Sequence, residues 1–162
     1  MKVLIAIDDD APSREALDFA ERLVTERDQV VVLNVTSYAD LVPFAGDPFG
    51  AGIGAVGLDP ESLAEIDDRA EKLVERSADE IDAKVEHVVE HGSPGERICA
   101  TAEENGIELI ILGSHERGAF GRFIHGSVSD YVVHHAQCAV LVVKHANVAA
   151  KSAKTAKGAK GA

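Results

Sequence analysis

Five short aliphatic runs separated by amphipathic stretches constrain this chain more than any other feature. The runs are VLIAI at 3–7, VVVLNV at 30–35, KVEHVVE at 84–90, ELIILG at 108–113 and AVLVVK at 139–144. Val, Ile and Leu in near-continuous succession describe strands buried on both faces, because a strand with one wet face would alternate. Helix start signals stand between the runs. Pro12 follows Asp8-Asp9-Asp10 and opens SREALDFAERLV, in which Ala16, Phe19, Ala20 and Leu23 share a face. Asp59-Pro60 opens the next helix, and Ser93-Pro94-Gly95-Glu96 reads as a capping box with proline at the first helical position. Ser127 with Asp130 forms a looser version before the last helix. The order β-α-β-α-β-α-β-α-β, joined by short right-handed crossovers, predicts the α/β class. The expected architecture is a single doubly wound domain: a five-stranded parallel sheet of order 3-2-1-4-5 with helices on both faces.

Composition narrows the function classes. The 162 residues suffice for one domain with a sizeable core. Residues 146–162 carry Lys151, Lys154, Lys157 and Lys160, no acid and no large apolar side chain beyond Val148. That composition predicts a disordered Lys/Ala/Gly-rich tail outside a domain spanning 1–145. Without those four lysines, the remaining twelve basic residues face 28 acids, a net charge of −16. Such a body repels nucleic acid and most membrane surfaces. No apolar run approaches membrane-spanning length, and the first strand leaves no room for a signal peptide, so a cytoplasmic location is expected. Cys99 and Cys138 do not make a disulfide framework and read as small buried hydrophobes.

Several motifs invite a functional reading and fail on context. GIGAVG at 52–57 satisfies G-x-G-x-x-G, but a dinucleotide fingerprint sits in the tight turn directly after a strand. Here it lies in the long connection 36–58, and the following helix has its own start at Asp59-Pro60. The opening VLIAIDDDAPSRE is similar to the acidic pocket of phospho-acceptor receiver domains. That chemistry requires an Asp ending the third strand, where this chain has VVEHGSP. Helix-dipole complementation explains Asp9 and Asp10 more simply. His134 and His135 are adjacent and cannot share a metal easily, while His87 and His91 flank a strand end. No metal centre, nucleophile triad or other catalytic residue is assigned.

One stretch remains: ELIILGSHERGAFGRFIHGSVSDYVVHHAQCAVLVVK at 108–144. Together with IAIDDDAPSREAL, VVVLNV and HGSPGERI, it makes residues 1–145 resemble the universal stress protein family, an adenine-nucleotide-binding α/β fold. The family's nucleotide loop runs Gly, two residues, Gly, nine residues, Gly-Ser/Thr. On this chain Gly113 takes the first position and Gly126-Ser127 the last pair, with total spacing kept, but Glu116 stands where the second glycine belongs. The location is also reasonable on physical grounds. In a 3-2-1-4-5 sheet, ligands bind at the carboxyl ends of strands one and four, here Asp8 and Gly113. Gly126, Ser127 and Val128 would form a helix N-terminus, whose free N–H groups suit phosphate.

The resemblance implies further roles. Ala6, Ile7 and Asp8 would wall and hydrogen-bond the adenine, with Asp8 accepting from an amine or a ribose hydroxyl. Val35 and Leu112 would complete the slot, and Ser114, His115 and Glu116 would continue the loop from Gly113. A carboxylate about 4 Å from a phosphate oxygen costs on the order of 4 kcal/mol at an effective dielectric near 20. Glu116 would therefore point to solvent, be offset by Arg117 and Arg122, or meet the phosphates through Mg²⁺. The expected function is a cytoplasmic stress-response regulator that binds ATP or a related adenine nucleotide, catalyses at most slow hydrolysis, and acts on an unknown regulatory protein partner. The alternative is a dimeric interaction protein that binds no nucleotide, as some family members do. Strand five should be a sheet edge, and the resemblance implies a homodimer through it.

Overall fold

The computed structural model describes residues 1–37, 60–114 and 127–144. His115, Glu116, Gly126, the 52–57 glycine motif and the Lys-rich tail lie outside the described residues. Among the described residues strands and helices alternate: β1 (Lys2–Ala6), α1 (Ala11–Leu23), β2 (Gln29–Thr36), α2 (Pro60–Ala78), β3 (Lys84–His91), α3 (Pro94–Glu104), β4 (Leu109–Ser114), α4 (Ser127–His135) and β5 (Ala139–Lys144). The strands form one sheet of order β3-β2-β1-β4-β5, with every pairing parallel. Every aliphatic run in the sequence is a strand, with boundaries moved by one residue at most.

Period-two alternation divides the sheet's side chains between two cores. Val3, Ile5, Ile7, Val30, Val32 and Ile111 face α1 and α2, where Ala16, Leu17, Ala20 and Val74 meet them. Leu4, Ala6, Val31, Leu33, Ile110 and Leu112 face α3 and α4, against Ile98, Ala102 and Val132. Leu4, Ile5, Leu33, Ile110 and Ile111 are fully buried. At roughly 1.5–3 kcal/mol for each large aliphatic side chain buried, this double layer drives folding. Among the described residues no helix is long and apolar enough to cross a membrane.

Two local expectations need correction. Ser93 stands at the N-cap of α3, but its side chain makes no capping hydrogen bond, so the capping box with Glu96 does not form. Pro94 already removes one first-turn donor, and the Ser93 carbonyl accepts from the Arg97 amide at 3.0 Å. The cysteines are half-buried rather than buried, and both are free thiols. Burial pushes both thiols up from their ordinary range.

Candidate functional site

The carboxyl ends of β1, β2 and β4 lie side by side because the sheet reverses its winding direction between β1 and β4. Register places Ala6 between Leu33 of β2 and Leu112 of β4. Ala6 and Leu112 belong to the core on the α3/α4 side, and Val35 and Val128 pack against it. Three of the predicted slot residues, Ala6, Val35 and Leu112, therefore share one face of the sheet, and Val128, predicted for the helix start, packs against that face from α4. Ser127 is the first residue of α4, so the helix begins where the sequence placed it. Ser114 ends β4 and is buried.

Ile7 and Gly113 do not face that slot. Ile7 is packed in the α1/α2 core. Its N–H donates to the Leu33 carbonyl at 2.9 Å, and its carbonyl accepts from Asn34 Nδ2 at 2.8 Å. A Cβ built on Gly113 would lie 2.3 Å from both the carbonyl carbon and oxygen of Pro12. The expectation that Gly113 is glycine for close approach to a ligand thus has a second explanation inside the fold. The first turn of α1 rests on β4 there, and backbone cannot yield to a side chain.

The turn from β1 into α1 is closed by its own side chains. Asp10 is the N-cap of α1, its carboxylate accepting from the Ser13 amide at 2.7 Å. Ser13 Oγ in turn accepts from the Asp8 amide at 2.9 Å, and Asp8 Oδ1 accepts from the Asp9 amide at 2.8 Å. The acidic triplet is therefore a specific cap rather than a diffuse complement to the helix dipole, and no acid sits within the first turn of α1 itself. Asp8, Asp9 and Asp10 line a small cleft of about 60 Å³ together with Arg14 and Arg76.

Chemically, the two ends of the site differ. At β1 the amides of Asp8, Asp9 and Ser13 are already used, so the loop presents Asp8, an exposed carboxylate and an acceptor. It suits a donor such as an amine or a hydroxyl and repels an anion. At α4 the helix begins with N–H groups unpaired within the helix, the polarity that suits an anion. A ligand with hydroxyls or an amine at one end and a phosphate at the other matches this polarity.

Asn34, Ser13 and Pro12 escaped the sequence reading as site residues. Asn34 carried a signal: it is the single polar residue inside VVVLNV, and a polar group in a doubly buried strand needs a partner. It is 4 % exposed.

Comparison with known proteins places the sequence and the fold. The family model described as the universal stress protein family matches residues 1–144. Universal stress protein MJ0531 of Methanocaldococcus jannaschii is 33 % identical over 144 residues, covering 88 % of this chain and 81 % of the relative. The solved structure of hypothetical protein MJ0577, from the same organism, superposes with a TM-score of 0.69 at 24 % identity, covering 90 % of this chain and 96 % of the other. A family protein from Arabidopsis thaliana, solved with AMP bound, superposes with a TM-score of 0.59 at 19 % identity over 91 % and 94 % of the two chains. The match runs from the first strand to the last and includes both borders of the loop after β4: this chain belongs to the universal stress protein family.

Proposed function

We propose that this protein is a stress-response regulator that binds ATP, or a related adenine nucleotide, across the carboxyl ends of β1 and β4. The observation that carries the reading is the opposed polarity at one sheet end. Exposed Asp8 follows β1 two residues after Ala6, Ala6 shares one apolar cluster with Val35, Leu112 and Val128, and Val128 is the second residue of α4. Asp8 accepts from the ribose or the adenine amine, and the apolar face holds the base. Gly113, Ser114, His115, Glu116, Gly126 and Ser127 make up the phosphate loop. A structural relative solved with AMP supports the ligand class. The protein is cytoplasmic, its nucleotide state is read by a regulatory protein, and its partner in assembly is a second copy through β5.

Glu116 favours one second reading, a dimeric interaction protein that binds no nucleotide. Calorimetry with ATP, ADP and AMP, with and without magnesium, separates the two. If Glu116 opposes the phosphates, Glu116→Gly tightens ATP by roughly one to three kcal/mol, and the gain shrinks in high salt. If Glu116 holds Mg²⁺, the same change weakens binding only when magnesium is present. Absence of binding in every condition, for wild type and variant, overturns the nucleotide reading.

A further inference from the structure

One peptide unit at the site is held from both ends. The Ile7 carbonyl accepts from Asn34 Nδ2 at 2.8 Å, and the Asp8 amide, across the same peptide bond, donates to Ser13 Oγ at 2.9 Å. The two clamping side chains come from different elements, Asn34 from β2 and Ser13 from α1, and both are buried. Neither bond belongs to the sheet ladder, which at this end stops with the Ile7 amide on the Leu33 carbonyl. Beyond that point the chain leaves the sheet, and without the clamp the peptide plane could rotate.

The consequence falls on Asp8. Its backbone is set by the clamp, and its Oδ1 is occupied by the Asp9 amide at 2.8 Å. Among the described residues, Oδ2 has no hydrogen-bond partner. The carboxylate is thereby pre-oriented with one acceptor turned outward, and a pre-oriented acceptor spares a ligand the cost of ordering it. Ser13 also connects the clamp to the Asp10 cap through its own amide, at 2.7 Å. We infer that Asn34 and Ser13 are positioning residues that lock the Ile7–Asp8 peptide and so hold Asp8 as a single-acceptor contact for the nucleoside part of the ligand. This inference rests on the nucleotide reading above and adds to it the residues that determine nucleoside recognition.

The test uses the full chain. Asn34→Leu keeps the volume and removes the donor, Ser13→Ala removes the acceptor, and Ser13→Thr retains it. Asn34→Leu and Ser13→Ala should each weaken ATP by about tenfold, as loss of a buried hydrogen bond implies, while Ser13→Thr stays within about threefold of wild type. In an Asp8→Ala background the first two changes should cost less than about twofold more, because a positioning residue has nothing left to position. Equal losses in the two backgrounds would mean the clamp only stabilises the fold, and would overturn the inference. Hydrogen exchange of the Asp8 amide in the ligand-free protein gives a second readout. It should accelerate in Ser13→Ala and not in Ser13→Thr; unchanged exchange in Ser13→Ala overturns the clamp itself. If wild type binds no adenine nucleotide, the nucleotide reading and the clamp's ligand role fail together, while the exchange result still decides whether the clamp exists.

Discussion

The two edges of the sheet are built in opposite ways. β3 is eight residues long and carries Lys84, Glu86, His87, Glu90 and His91, with Val85 and Val89 packed under α2 and Val88 on the other face. β5 is six residues long, and Lys144 is its one charge. Leu141 and Val143 pack against the α1/α2 core, Val140 and Val142 against the other, and all four remain half-exposed. The surroundings sharpen the contrast. Arg14 pairs with Glu80 on the α2 side of α1, so Phe19 and Leu23, on the opposite flank of that helix, lie toward β5. They are 36 % and 39 % exposed, and Val133 of α4 is 50 % exposed. An edge studded with charge resists pairing with another chain, whereas a bare aliphatic edge invites it. The difference makes β5 the edge better suited to pairing, which supports the proposed two-fold dimer through it.

The most direct way to break the comparison is to give β5 the character of β3. Val143→Lys should weaken self-association by on the order of 100-fold or more, as loss of a buried contact at an interface centre does. Sedimentation should then show a monomer at micromolar concentration, with helix content retained. The reverse change, His87→Val, should make β3 adhesive and produce species larger than a dimer. A wild type that is monomeric at these concentrations removes the basis of the comparison.

Gly113 belongs to the β5 side of the sheet, where α1 lies across β4 and β5. Gly113→Ala places a methyl 2.3 Å from Pro12 backbone. Relieving that overlap means lifting α1, which should cost roughly 2 kcal/mol or more. Chemical denaturation without nucleotide measures it. Undiminished stability would mean that α1 does not rest on β4 as described.

An acid titration probes the other side, where β2 begins next to β3. The amino group of Met1 hydrogen-bonds Asp28 at 2.7 Å, and the Thr25 hydroxyl and amide donate to the same carboxylate at 2.8 and 2.9 Å. The amine first, and then the Thr25 donors, hold the Asp28 carboxyl at about 2. A carboxyl depressed on folding contributes its stability above the unfolded value near 4 and loses it as pH falls through the folded value. Asp28→Asn should therefore lower the melting temperature at neutral pH and flatten the fall between about pH 4 and 2. Sedimentation of this variant should still show a dimer at neutral pH, since Asp28 lies away from β5. An acid profile identical to that of wild type would break this assignment.

The smallest effects separate the helices that serve the two sides. Asp10→Ala removes the cap of α1 and should cost about 1 kcal/mol. Ser93→Ala, at the start of α3, should change stability by less than about 0.5 kcal/mol, because that hydroxyl caps nothing. Equal losses from the two would contradict the difference between the two helix starts.

Much of this was legible in one dimension. Val, Ile and Leu runs gave away every strand, and Pro12, Pro60 and Pro94 marked helix starts, because burial on both faces and fixed φ leave their mark on local composition. A strand ending at Ser114 and a helix beginning at Ser127 fit the borders that the spacing from Gly113 to Ser127 set. Even within one motif, however, local reading mistook Ser93 for a side-chain cap. It also assigned Asp9 and Asp10 alike to the helix dipole, where Asp10 is the residue whose side chain caps α1.

Tertiary structure decided the rest, through contacts between residues far apart in the chain. Gly95 looked like part of a cap, yet a Cβ there would stand 2.7 Å from the Tyr131 ring, so α4 is what requires the glycine. Gly113 looked like a ligand residue, yet Pro12 already forbids a side chain there. Asn34 was one polar letter in an aliphatic run until strand register brought it to the Ile7 carbonyl. Period and composition report how deeply a residue is buried, because burial acts on each residue separately. What a residue is buried against follows from strand order and register, and those arise only when the five strands come together.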